Sequence, residues 1–223
     1  MMYPMKPSLQ KVVLALTLTG ALSPCAARAE EEEAKARLVT PLSLGLTSSL
    51  QYPTIKDGKI SVYGLRAGVC VEWNIPDTLI TEVSGISIGL LAMMDTHVVK
   101  GVQLVGFFNH ATEMSGIQLG LNNLSNDAYG ARLGALNIAG NAASGLELGI
   151  INYAFSLKGV QVGAINLSEN DVYGVQVGIA NVTENVNGLQ FGILNFASSL
   201  KGVQVGLFNT HGDSCFPLLM VGW

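Results

Sequence analysis

Charged residues are scarce in this chain. Asp, Glu, Lys and Arg make up 13% of it, about half the usual globular share, while apolar residues reach 49%. That balance excludes a disordered polar repeat, because the chain has many side chains to bury. Histidine is scarce too: His97, His110 and His211 are scattered through turn-like segments, and no pair has metal-ligand spacing. The three cysteines include no Cys-x-x-Cys, which removes the common zinc and dithiol motifs. No Gly-Lys-Ser or Gly-Lys-Thr follows the glycines, so a phosphate loop is excluded. His211, Asp213 and Ser214 share one short segment, and three polar residues do not make a triad without a scaffold that orients them. His110 and Glu113 read as an exposed turn pair. The expectation is a non-enzyme with no catalytic residue, no metal site and no cofactor.

Long apolar runs are missing as well, except at the start. Lys6 and Lys11 precede the run Val12 to Leu22, and Ala27-Arg-Ala29 supplies small residues before Glu30. This is the pattern of a signal peptide over 1–29, too short for a membrane span. Cys25 sits in Leu22-Ser-Pro-Cys25, where the proline makes a lipoprotein site unsuitable. Cleavage would remove Lys6, Lys11 and Arg28, leaving nine basic residues against sixteen acidic and a charge of −7. A nucleic-acid partner is disfavoured, since phosphate binding needs a positive footprint. Residues 30–37 read as an acidic, solvated leader. Export makes a disulfide between Cys70 and Cys215 chemically feasible, but stacked repeats would hold the two apart, and free thiols are expected.

What the chain has in abundance is one short phrase. It reads Gly116-Ile-Gln-Leu-Gly120, Gly159-Val-Gln-Val-Gly163, Gly174-Val-Gln-Val-Gly178, Gly188-Leu-Gln-Phe-Gly192 and Gly202-Val-Gln-Val-Gly206. The first glycines of successive units fall at 85, 101, 116, 130, 145, 159, 174, 188 and 202, so the period is 14 to 16 residues. An asparagine follows each phrase from Asn109 to Asn209. A fixed short period means one structural unit copied and stacked. Alternation of Val, Ile, Leu and Phe with Gly and Gln is strand chemistry, and two glycines per unit argue against helix.

The fold class is therefore all-β, with 14–15-residue tandem repeats. A β-solenoid is favoured: the valines would form inward columns, while the asparagine bonds along the stack at a corner and tolerates left-handed backbone there. The alternative is an antiparallel barrel or meander of about 12 strands, with valines toward lipid and Gly and Gln toward the lumen. The solenoid is preferred because every unit carries its asparagine at the same end. Residues 38–84 read as atypical strands or a cap, 85–209 as the array, and 210–223 as a C-terminal cap or final strand.

Two residues after each first glycine lies a candidate surface ladder: Gln103, Gln118, Arg132, Glu147, Gln161, Gln176, Gln190 and Gln204. Its two charges occupy adjacent units, where opposite charges attract. Such a Gln- and Gly-lined face would suit extended partners, and glutamine columns suit self-association. Asn123, Asn166 and Asn181 match the glycosylation pattern, but they are the repeat's own structural mark.

The phrase Gly-Val-Gln-Val-Gly-Leu-Phe-Asn209, with Val62-Tyr-Gly-Leu-Arg66 upstream and Phe216-Pro217 near the end, resembles a family of exported surface-repeat proteins of bacteria with two membranes. The resemblance covers most of the mature chain and implies a location in the cell envelope, outer membrane or cell surface, with no named active site. Ala131-Arg-Leu133 and Leu146-Glu-Leu148 depart from the phrase. The expected function is a structural or adhesive surface protein contacting an unknown protein or glycan; an outer-membrane barrel acting as pore or scaffold is the alternative.

Overall fold

The computed structural model describes residues 37–47, 50–53, 58–70 and 78–223. The signal peptide, Cys25 and nearly all of the acidic leader lie outside the described residues. Residues 36–223 form one compact unit. It is a β-solenoid built from β1 (Arg37–Thr47), β2 (Leu50–Tyr52), β3 (Gly58–Cys70), β4 (Thr78–Val105), β5 (Phe108–Leu119), β6 (Asn122–Leu133), β7 (Leu136–Leu148), β8 (Ile151–Val162), β9 (Ile165–His211) and β10 (Ser214–Gly222).

From β3 to β9 each strand pairs parallel with the next, and the register is the repeat itself. Gly145 lies beside Gly159, Glu147 beside Gln161 and Asn137 beside Asn152. A barrel meander would make these neighbours antiparallel, so the parallel ladder rules that alternative out. One unit closes one coil. An arm carrying Gly-Val-Gln-Val turns at its second glycine, a shorter arm carries the asparagine, and a polar turn leads to the next coil. The backbone turns at residues 163–164, for example, and Ile165 N–H bonds to the Ile150 carbonyl one coil back at 3.0 Å.

The first glycine of each unit is obligatory. Its φ is positive throughout, +145° at Gly159, and a Cβ there would overlap the Gly145 carbonyl oxygen. Left-handed backbone thus falls on the glycines; the only described non-glycine residue with positive φ is Leu218, so the asparagines do not adopt it.

The expected facing of the arms is reversed. Gln103, Gln118, Gln161, Gln176, Gln190 and Gln204 are fully buried, and Arg132 and Glu147 nearly so, whereas Val162, Val177 and Val205 are 37–38% exposed. The ladder exists, but it is an interior feature. The core holds four columns. Two residues before the glycine come Val83, Val99, Met114, Leu157, Val172, Val186 and Leu200; two residues after the asparagine come Ala139, Ala154, Ser168, Thr183 and Ala197; the amides fill the rest. The reason is room. A coil of 14 residues encloses a narrow space, and the second glycine faces the asparagine column so closely that a Cβ at Gly163 would crowd Asn152 Nδ2. A bulky Val-Val face could not close this coil, but a Gly-Gln-Gly face can.

The array also begins upstream of Gly85. Val62, Gly64 and Arg66 occupy repeat positions, with Gly64 beside Gly85 and Arg66 beside Ser87, and β1 continues the stack parallel to β3. At the far end Gly212, with φ +57°, reverses the chain, and β10 returns antiparallel along the last coil, placing Met220 against Gln204. Cys215 is a free, exposed thiol on β10, far along the stack from Cys70 on β3.

Candidate functional site

Two hydrogen-bonded columns run through the core from Gln103 and Asn109 to Gln204 and Asn209. The asparagine column is unbroken: Asn109, Asn123, Asn137, Asn152, Asn166, Asn181 and Asn195 each donate Nδ2 to the next Oδ1 at 2.7–2.9 Å, ending on Asn209. Each Nδ2 also reaches a backbone carbonyl at the corner, as Asn152 does to Val162 O at 3.0 Å. The glutamine column runs in the opposite sense. Gln118 donates back to Gln103, Gln176 to Gln161, Gln190 to Gln176 and Gln204 to Gln190, at 2.7–2.8 Å. The amide dipoles align head to tail within the asparagine column and, in the opposite sense, within the glutamine runs on either side of Arg132 and Glu147. Buried amides cost little once every donor is matched.

Arg132 and Glu147 interrupt the glutamine column. They pair across adjacent coils inside the core, Arg132 NH2 to Glu147 Oε1, and both side chains are almost fully buried. Arg132 NH1 also donates to Ser125 Oγ at 3.1 Å and to the Ile138 carbonyl at 2.7 Å, while Gln161 donates to Glu147 Oε2 at 2.8 Å. The pair is a two-charge substitute for two amide rungs, at the cost of leaving Arg132 Nε and Gln118 Oε1 without a hydrogen bond.

All eight ladder residues singled out from the sequence fall in one column. None is on the surface, so they are unavailable to a partner, and their hydrogen bonds are spent inside one chain. The same holds for self-association through glutamines. Against the expectation that the chain lacks a Gly-x-Ser-x-Gly phrase, Gly85-Ile-Ser-Ile-Gly89 has the spacing of a nucleophile elbow. Ser87 takes a glutamine position in a flat strand, 1% exposed and beside Arg66, so it lacks the exposed strand-to-helix turn an elbow needs.

The outer surface carries the rest. Leu90, Phe107, Leu121, Ile150, Ile179, Ile193 and Leu207 stand exposed at seven of the nine corners, with Ala135 and Ala164 at the other two. A shallow apolar groove of about 590 Å³ crosses this edge, lined by Ile88, Leu104, Leu119, Leu121 and Ala135 among others. The opposite edge is polar. There Glu82 accepts hydrogen bonds from Lys100 Nζ at 3.1 Å, Tyr63 OH at 3.2 Å and Ser84 Oγ at 3.3 Å. The Lys100 contact chiefly holds the Glu82 carboxyl below its usual range. Tyr153 is buried, and burial, reinforced by the charge of Glu169 and a hydrogen bond to it, pushes its phenol far up. Among the described residues no group of His, Cys, Asp and Glu is placed to hold a metal ion, and no helix is long and apolar enough to cross a membrane. Comparison with family models, with curated proteins and with solved structures finds no match.

Proposed function

We propose that the chain is an exported protein of the cell envelope or cell surface, of the surface-repeat kind, with a structural or binding role toward a protein or glycan. The observation that carries this reading is the division of labour between core and surface. The core uses its polar groups to lock coil to coil, which yields a stiff rod, and the surface repeats the same outward residues at every coil, about 4.8 Å apart. A rod of this kind suits an extended partner contacted at many equal steps. With the glutamines buried, the contact surface for such a partner shifts to the polar edge, where Tyr63, Tyr129 and Tyr173 are 45–53% exposed in one column. Exposed tyrosines combine apolar area with a hydrogen-bonding tip, which serves both protein and sugar contacts.

The test is cell fractionation of the expressed chain with sequencing of the mature N-terminus. Cleavage before Glu30 and recovery with the envelope are expected. Uncleaved protein recovered from the cytosol would end the reading.

A further inference from the structure

The apolar edge has a shape of its own. Counting from the first glycine, positions plus one, plus three, plus five, plus six and plus eight hold no Asp, Glu, Lys or Arg in any of the nine units, allowing for the extra residue in Gly101–Gly106, and they face outward except at plus eight in two units, where Leu124 and Tyr153 are buried. These positions are not one flat face. Plus one and plus three lie on the glutamine arm, plus five and six form the corner, and plus eight lies on the asparagine arm. The apolar surface therefore wraps an edge on both sides, as Val162, Ile165 and Phe196 show with 37–39% exposure each. A flat second copy can cover one side of such an edge. A medium that surrounds it can cover both.

From this placement we infer that the corner edge of the solenoid inserts side-on into one leaflet of a lipid bilayer, with the coil axis parallel to the membrane plane. The depth agrees. Four residues separate the corner from plus one, about 13 Å of strand at roughly 3.3 Å per residue, and the hydrocarbon of one leaflet is about 15 Å deep. Two residues further back, about 20 Å from the corner and so among the headgroups, an exposed column holds Tyr63, Lys100, Tyr129, Lys158, Tyr173 and Lys201. Tyrosine and lysine are the residues that settle at headgroups, through an amphipathic ring and a snorkelling ammonium. On the glutamine arm the acids stand beyond this line, Glu82, Glu113, Asp127 and Asp171 falling three residues before the glycine, and on the asparagine arm Glu169 and Glu184 begin two residues past plus eight. The backbone raises no obstacle, because corner amides bond along the stack, Ala135 N to Leu121 O and Ile150 N to Ala135 O, both at 2.9 Å. The lipid is the one that the envelope reading supplies, while the insertion geometry rests on side-chain placement alone.

The experiment uses the chain as exported, mixed with vesicles of phosphatidylethanolamine and phosphatidylglycerol and separated by flotation. Wild type floats, and the exposed-corner double variant Ile150→Glu/Ile179→Glu loses about tenfold or more of its partitioning with an unchanged circular dichroism spectrum. Depth is read separately with Ile179→Trp and Tyr173→Trp against brominated lipids: mid-chain bromines quench the first, and bromines near the headgroup quench the second. Wild type that stays with the aqueous phase, or equal quenching depth at both sites, overturns the inference. So does a dimer in sedimentation without lipid that the Ile150 and Ile179 changes dissociate while flotation persists, which would assign the edge to a second copy. Cytosolic recovery in cells with intact vesicle insertion would instead fault the envelope reading and leave the insertion standing.

Discussion

Arg132 and Glu147 face each other on adjacent coils in the middle of the amide column, each at the position where other coils carry glutamine. Replacing Glu147 alone by Gln strands a buried guanidinium, and the expected loss is about 3–5 kcal/mol in urea unfolding. The double change Arg132→Gln/Glu147→Gln restores two amide rungs and should return stability to wild type or above it. A double variant as unstable as the single one would show that the amide column tolerates no regular filling at these coils.

Asn152 holds two neighbours at once. Its Oδ1 accepts from Asn137, and its Nδ2 donates to Asn166 Oδ1 and to the Val162 carbonyl. Asn152→Ala leaves a buried donor and a buried acceptor unmatched, so a loss of about 2–5 kcal/mol is expected in the same assay. A loss below about 0.5 kcal/mol would mean that the asparagine column is not continuous in solution.

Facing can be tested at two residues of one coil. Leu157 is 1% exposed and Val162 37%. Leu157→Ala should cost about 2–5 kcal/mol. Val162→Asp, which the inward-valine expectation would have made severe, should cost at most about 1 kcal/mol in water. The reverse ranking would restore the valine-in arrangement.

Tyr153 should set an alkaline limit. Its folded pKa lies above the unfolded one, so its contribution is complete below the unfolded value of about 10 and is lost as pH rises through the folded value. Thermal melts should fall above about pH 10 for wild type and fall less for Tyr153→Phe. Identical alkaline profiles would remove the tyrosine from the account.

Glu82 works the other way. Its folded pKa is lowered, so its contribution is present above the unfolded value of about 4 and fades as pH drops through the folded one. Lys100 is 56% exposed, and screening keeps the effect below about 1 kcal/mol. An NMR titration should show the Glu82 midpoint rise in Lys100→Ala; an unmoved midpoint would assign the shift elsewhere.

Much of the architecture was legible in the residues. The period of Gly159, Gly174, Gly188 and Gly202 announced one stacked module, and the repeated asparagine at one end of each unit pointed to parallel coils. The adjacency of Arg132 and Glu147 was legible too, because one period separates them. The start of the array was legible only as a weaker copy, Tyr63-Gly-Leu-Arg-Ala-Gly68, that reads as part of a cap, since an arginine stands where glutamine stands elsewhere and its coil is followed by a longer interval. The terminal reversal at Gly212 was not legible, because it depends on one glycine and the edge it leaves open.

The sequence by itself determined strands, period, stacking register and which residues share a column. It did not determine which side of the strand is inside, because an alternation of period two reads the same from either face. Only the closed coil decided that. Its small circumference admits glycine and amide side chains that bond to their own copies above and below, and it turns the valines, isoleucines and leucines outward to whatever the edge meets.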